Sequence, residues 1–256
     1  MILQNDDNKN SLAYISHILP FVVWITLMVW IDDGVISYNI RTLSGIILLI
    51  ILRPWSWYPS IKLKYLPLSI FVGIFIFIIW ILFETPWMIS TFPNINELYV
   101  RLFVDFSNPF SLRDLYEDQN LNSVPFMTID DGVNKGLHEF NPIVTGWLNF
   151  TIHMIGSSLV IPIIEEFFYR SFIYRWMQGS PFYKIKIQKI HWPLLIIVSL
   201  FFSISHIEWG VAIICGLAFG VLYLKTQDIW SAIIAHGVTN FLLGLYVIRF
   251  DAYQFW

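Results

Sequence analysis

The chain has 256 residues, 57% of them hydrophobic and 13% charged, with a mean hydropathy of +0.64 and a formal net charge of -3. The apolar share lies far above that of a soluble domain, and there is no basic surface for nucleic acid, so that partner is excluded and a membrane protein is the starting class. The single cysteine, Cys215, sits in the apolar run IICGLAFG and gives neither a disulfide framework nor a Cys-based metal spacing.

The N-terminal MILQNDDNKNSL is polar, and the apolar run after it shows no small-residue cleavage site before Asp32 and Asp33, so it reads as an uncleaved first span. Apolar runs fall at roughly 13–31, 42–52, 66–83, 143–174, 192–207, 209–224 and 229–248, the second of them short. A hydrocarbon core about 30 Å thick takes roughly 20 helical residues. The pattern predicts an all-α, polytopic membrane helical bundle of about seven (six to eight) transmembrane helices.

Lys and Arg near span ends are retained on the cytoplasmic side. With seven spans, Arg53, Lys62 and Lys64 in one loop, Arg175, Lys184, Lys186 and Lys189 in another, and Lys225 all fall on one side, while the loop 32–40 has two aspartates and no base. This predicts a cytoplasmic N-terminus and an external C-terminus. The chain divides into N-terminal transmembrane helices (1–83), a hydrophilic, external insertion with interfacial segments (84–142) and a catalytic-type helical core (143–256). The insertion is marked by Pro86, Pro93, Pro109, Pro125 and Pro142, and its ELYVRLFVDF reads as a short interfacial helix.

Within the core, IPIIEEFFYRSF (161–172) places two glutamates and an arginine in an otherwise apolar run. Residues four apart share a helix face, so Glu166 and Arg170 are neighbours and Glu165 projects about 100° away. A carboxylate at bilayer depth costs about 3 kcal/mol or more, which is why such groups face protein or a water cavity and pair. Arg170 neutralising Glu166 is the structural reading of that pair, and it leaves Glu165 without a local partner. On two later spans Phe202 and His206, and then His236 and Asn240, are again four apart.

A carboxylate, two imidazoles and an amide on three helices meet the needs of amide hydrolysis: a base for water and donors for the developing oxyanion. Two histidines and a glutamate are also a zinc-ligand set. No HExxH is present, since His138-Glu139 is followed by Phe-Asn-Pro, and no GxSxG is present. His17, His138, His153 and His191 read as structural or interfacial, and Gly216 and Gly220 as sites of close helix approach.

These residues resemble the CAAX prenyl endopeptidase-like intramembrane proteases, the CPBP or Abi family, with its Glu-Glu-x-x-x-Arg, Phe-x-x-x-His and His-x-x-x-Asn motifs. The chain has EEFFYR at 165–170, FSISH at 202–206 and HGVTN at 236–240, in that order. Ser171 and Gln227 stand where many members have glycine. The tail NFLLGLYVIRFDAYQFW, FNPIV at 140–144 and RSFIYRWM at 170–177 look like a narrower bacterial branch that accompanies exosortase, the sorting enzyme linked to PEP-CTERM proteins.

The resemblance implies a multi-pass protein of the bacterial inner (cytoplasmic) membrane, a glutamic-type peptidase with no cofactor and no metal ligands assigned, a metal-dependent mechanism being the alternative, acting on a membrane-anchored protein or peptide, with an exosortase system as a partner. Glu165 with His206 would activate water, His236 with Asn240 would stabilise the oxyanion, and Glu166, Arg170 and Phe202 would support the site. The rivals are a non-catalytic scaffold or immunity protein of the same fold and, more distantly, a transporter. One geometric demand follows. At about 1.5 Å per residue, Glu165 lies roughly 15 Å from Arg175, His236 roughly 12 Å from Asp228, and His206 roughly 24 Å from Ile190. The segment carrying His206 must therefore start deep or tilt strongly.

Overall fold

Inside a bilayer no water is available to backbone amides, so an apolar segment must satisfy its own N–H and C=O groups, and a helix does so within one segment. A computed structural model describes residues 2–31, 34–103, 138–186 and 189–256, and every regular element among them is helical. The helices are α1 (Ile2–Trp30), α2 (Val35–Leu52), α3 (Leu66–Leu82), α4 (Pro86–Thr91), α5 (Pro93–Phe103), α6 (Trp147–Trp176), α7 (Trp192–Ser203), α8 (Trp209–Thr226) and α9 (Ile229–Phe250). Six of them, α1, α2, α3, α6, α8 and α9, are long and apolar enough to cross a membrane.

Two elements differ from the sequence expectation. The apolar run 42–52 belongs to a helix that begins at Val35, because the polar Asn39, Arg41 and Thr42 are turned inward: Arg41 and Thr42 are buried, and Asn39 donates to Asn149 on α6 at 2.7 Å. The run 192–207, expected to cross in full, forms a helix of only 12 residues. Its last carbonyls are taken by side chains: Ser203 Oγ donates to Leu200 O at 2.8 Å, and Ser205 Oγ to Phe202 O at 3.1 Å. Such local bonds offer the backbone an alternative to a further helical turn.

The long helix α6 widens into π-type turns over Gly156–Val160 and Phe167–Ile173, on either side of the two glutamates. Wide turns of this kind are frequent at functional sites. Close contacts hold the bundle around it. A Cβ added to Gly216 would lie 2.8 Å from Ser199 Cβ, and one added to Gly220 would lie 2.4 Å from a Leu195 methyl, so α7 and α8 approach as the glycine spacing predicts. At Gly73 an added Cβ would meet the Ala235 carbonyl at 2.5 Å, and Thr239 donates to the Gly73 carbonyl at 2.9 Å, joining α3 to α9.

One end of the bundle gathers the basic loops. Lys62 Nζ donates to Gln227 O at 3.0 Å, Arg175 Nε to Tyr223 Oη at 3.0 Å, and Tyr14 of α1 bonds Ser180 at 2.9 Å. At the other end Trp256 stacks on His153 at 4.1 Å, and Tyr99 of α5 stacks on Phe83 at 3.8 Å. Helix α5 buries Asn96 and Tyr99 and exposes Ile95, Leu98 and Leu102, the two-faced pattern of an interfacial helix. The stretch 104–106 of the expected interfacial helix, and the insertion through residue 137, lie outside the described residues.

Candidate active site

Glu165 and Glu166 close the straight stretch of α6 just before its second wide turn, and both are buried. Arg170, one turn on, places Nη1 3.0 Å from Glu166 Oε1 and donates from Nη2 to the Gly216 carbonyl of α8 at 3.3 Å. Its guanidinium also lies over the Phe202 ring, 4.4 Å from the centroid. Two further contacts, the Gly216 carbonyl and the Phe202 ring, therefore compensate the charge of this ion pair, which is what burial at this depth requires.

His236 of α9 enters between the glutamates. Its Nδ1 is 3.0 Å from Glu166 Oε1, its Nε2 is 3.8 Å from Glu165 Oε2, and its ring stacks on Phe219 at 5.1 Å. A neutral imidazole has one N–H, so it donates to one carboxylate only. Nδ1 with its short contact to Glu166 takes that hydrogen. The approach of Nε2 to Glu165 then calls for one further proton, carried by His236 or by Glu165. Glu165 Oε2 is buried and takes no hydrogen bond from any described residue.

His206 is set apart from this group. It lies in the turn after α7, with its ring 4.6 Å from that of Phe202, and Phe202 is in turn 5.8 Å from His236. The short α7 meets part of the depth demand, and the ring folds back along it: His206 Nδ1 is 2.9 Å from the Phe202 carbonyl. Asn240 stands one turn beyond His236 on α9 and donates from Nδ2 to the Ser157 carbonyl, in the first wide turn of α6, at 2.8 Å. Thus Glu165, Glu166, Arg170, Phe202 and His236 share one cluster, His206 joins it across Phe202, and Asn240 borders it. Among the described residues no three His, Cys, Asp or Glu side chains form a metal-ligand set, so the residues present do not fit a built zinc site.

The sequence reading missed several neighbours. Phe219, which stacks on His236, looks like any apolar residue of α8, and Tyr169, buried beside the ion pair, is one more aromatic in FFYR. Glu208 carried a signal, an acid two residues past His206 between apolar segments. Just outside the α8 span, it hydrogen-bonds Glu84, and burial together with the Glu84 carboxyl pushes it well above the ordinary carboxylate range. The other histidines are structural: His17 bonds Tyr58 at 3.1 Å, His153 stacks on Tyr38 at 3.8 Å, and His191 accepts from the Leu194 amide at 3.2 Å as the cap of α7.

A cavity of about 450 Å³ opens at the basic end, lined by Trp55, Tyr58, Pro59, Ser60, Ile61 and Trp230. Phe167, the residue after Glu166, packs against Tyr58 at 5.4 Å and Trp230 at 6.3 Å and so lies between this cavity and the glutamates.

The chain is a multi-pass membrane protein by its six long apolar helices. No curated protein and no solved structure matches it. Residues 147–242, which contain Glu165, Glu166, Arg170, Phe202, His206, His236 and Asn240, match the model of the Rce1-like family, type II CAAX prenyl endopeptidase Rce1-like, and this similarity supports the CAAX protease family for the chain.

Proposed function

We propose that the protein is an intramembrane endopeptidase that hydrolyses a peptide bond near the membrane-proximal end of a protein substrate with a glutamate- and histidine-activated water. The observation that carries this reading is the seat of His236, with one ring nitrogen on the Glu166–Arg170 pair and the other facing a Glu165 carboxyl oxygen that has no other hydrogen-bond partner among the described residues. A purely structural ion pair needs neither the histidine nor the second glutamate.

In this mechanism Glu165, assisted by His206, accepts a proton from water as the oxygen attacks the scissile carbonyl carbon. In this state His236 carries the further proton and Glu165 is the free carboxylate; the carbonyl oxygen becomes an oxyanion and is held by the Nε2–H of His236 and an N–H of Asn240. The Asn240 amide has two N–H donors, and among the described residues one is engaged, by Ser157, which leaves the second for the oxyanion. When the tetrahedral intermediate collapses, the C–N bond breaks and the proton returns from Glu165 to the leaving amine. Glu166 and Arg170 fix His236 through Nδ1 and take no proton in either step.

The substrate is a membrane-anchored protein or peptide, the setting is a bacterial inner membrane, and the tail and FNPIV segments favour a partner of the exosortase system. The helices of residues 143–256 form the catalytic core, with 1–83 as flanking spans and 84–142 as an external insertion. The test compares the termini of membrane proteins in cells that carry the wild-type chain and in cells that carry Glu165→Gln at equal abundance. Termini that change only with the wild-type chain are expected. Identical termini with a folded Glu165→Gln protein would favour the scaffold reading instead.

A further inference from the structure

Glu165 and His206 come from different elements, α6 and the turn after α7, and no hydrogen bond among the described residues joins them. Their mutual placement has to come from groups around them. His206 Nδ1 is 2.9 Å from the Phe202 carbonyl, and a carbonyl only accepts, so Nδ1 carries the hydrogen and Nε2 is the acceptor of the ring. Ser205 Oγ donates to the same carbonyl at 3.1 Å and lies 3.3 Å from Nδ1. The Tyr169 hydroxyl donates to the Phe201 carbonyl at 3.4 Å, in the last turn of α7 and one residue before the carbonyl that holds His206 Nδ1.

Tyr169 lies four residues after Glu165 on the same helix face, and it is buried. Its ring is held edge-on by Phe21 at 5.2 Å and by Phe202 at 5.4 Å, so its hydroxyl is aimed at the C-terminal end of α7 by packing from two sides. A phenylalanine would fill the same aromatic slot. The hydroxyl ties the helix that carries Glu165 to the end of α7, from which the turn that carries His206 leaves.

We infer that Tyr169 and Ser205 are positioning residues, which hold the His206 turn so that the ring keeps its Nδ1–H bond to Phe202 and presents Nε2 as its acceptor. The inference rests on the proposed role of His206 in activating water, but its geometry is tested without turnover. The group that hydrogen-bonds one ring nitrogen of a histidine sets its tautomer, and loss of a packing-neutral hydroxyl leaves the ring environment otherwise intact.

The experiment uses the full chain in lipid nanodiscs with 15N-labelled histidine, at a pH where the imidazoles are neutral, with the His206 signals identified by their loss in His206→Gln. The wild-type protein should show His206 as the Nδ1–H tautomer. Tyr169→Phe and Ser205→Ala should each bring the two His206 nitrogen shifts toward one another, the sign of mixed tautomers, with the other histidines unmoved. If Tyr169→Phe does not fold, Ser205→Ala reports on the same link from the turn. Unchanged His206 shifts in the folded variants, or an Nε2–H tautomer in the wild type, would overturn the inference. The protease reading could fail by unchanged substrate termini while these shifts still behaved as expected, so the two failures are distinguishable.

Discussion

Adjacent carboxyl groups of one helix meet burial in different ways here. Glu166 shares Oε1 with Arg170 and His236, both at 3.0 Å, whereas Glu165 has only the 3.8 Å approach of His236 Nε2. Removing one partner of a buried pair leaves an uncompensated charge, at a cost of about 3–5 kcal/mol, while neutralising an unpaired carboxyl at constant volume removes a burden. Arg170→Ala should therefore lower the thermal midpoint and the yield of folded protein, and Glu165→Gln should leave both at or above wild type while abolishing turnover. Thermal unfolding of the two variants side by side checks this, and an Arg170→Ala protein as stable as wild type would mean that Glu166 finds its compensation elsewhere. Glu208 adds a pH signature at the same scale. Burial and Glu84 keep a proton on it that the unfolded chain loses in the ordinary carboxylate range. Its contribution is undiminished below that range and stability falls as pH rises from there toward the raised value, because the folded state binds the extra proton. In melting curves taken across that window, Glu208→Gln should remain flatter than wild type; parallel curves would remove Glu208 as the cause.

Helices α7 and α8 couple packing to the cluster. The Gly216 carbonyl accepts from Arg170 at 3.3 Å, and a Cβ at Gly216 would lie 2.8 Å from Ser199 Cβ and 3.0 Å from Ser199 Cα. A side chain there has to push α7 away or shift the carbonyl that holds the arginine. Gly216→Val should cost about 1–3 kcal/mol by overpacking, and Gly216→Ala should be partly relieved by Ser199→Gly, as a double-mutant cycle of thermal stabilities would show; additive effects would place the strain elsewhere. The glycine spacing made this approach legible in the sequence, as the four-residue spacing made the Glu166–Arg170 pair legible. The wide turns of α6 were not, because IPIIEEFFYRSF has the same apolar content whether its turns are regular or wide. The early end of α7 was not either: FFSISH is apolar enough to continue, and only the competition of Ser203 and Ser205 for backbone carbonyls ends it. Likewise, the start of α2 was hidden because Asn39, Arg41 and Thr42 look like loop residues until α6 supplies their inward-facing surroundings.

For the whole molecule, the sidedness of the chain depends on α7. Six long spans alone would return the C-terminus to the side of the N-terminus, but α7, though only 12 residues, leads from the basic end to the turn under α5 and α8 leads back. Two contacts fix those levels. The His191 amide at the start of α7 donates to Tyr174 Oη at 3.1 Å near the basic end, and beyond the turn Phe103 of α5 packs on Trp209 at 5.0 Å. Among the described residues the helices therefore run end to end seven times, α7 being the short one, an arrangement that would put the two ends on opposite faces. With the basic residues retained in the cytoplasm, single cysteines placed at the exposed Lys64 and Gln178 in a Cys215→Ala background should react with an impermeant maleimide only when the cytoplasmic face is opened. Cysteines at Leu98 and Asp251 should react in intact cells. Reaction of the cysteine at 251 from the same face as those at 64 and 178 would mean that α7 does not make a pass. The reverse pattern, with positions 64 and 178 labelled outside, would keep the architecture but turn the aromatic-lined cavity toward the exterior, and a substrate segment reaching Glu165 past Phe167 would then come from outside the cell.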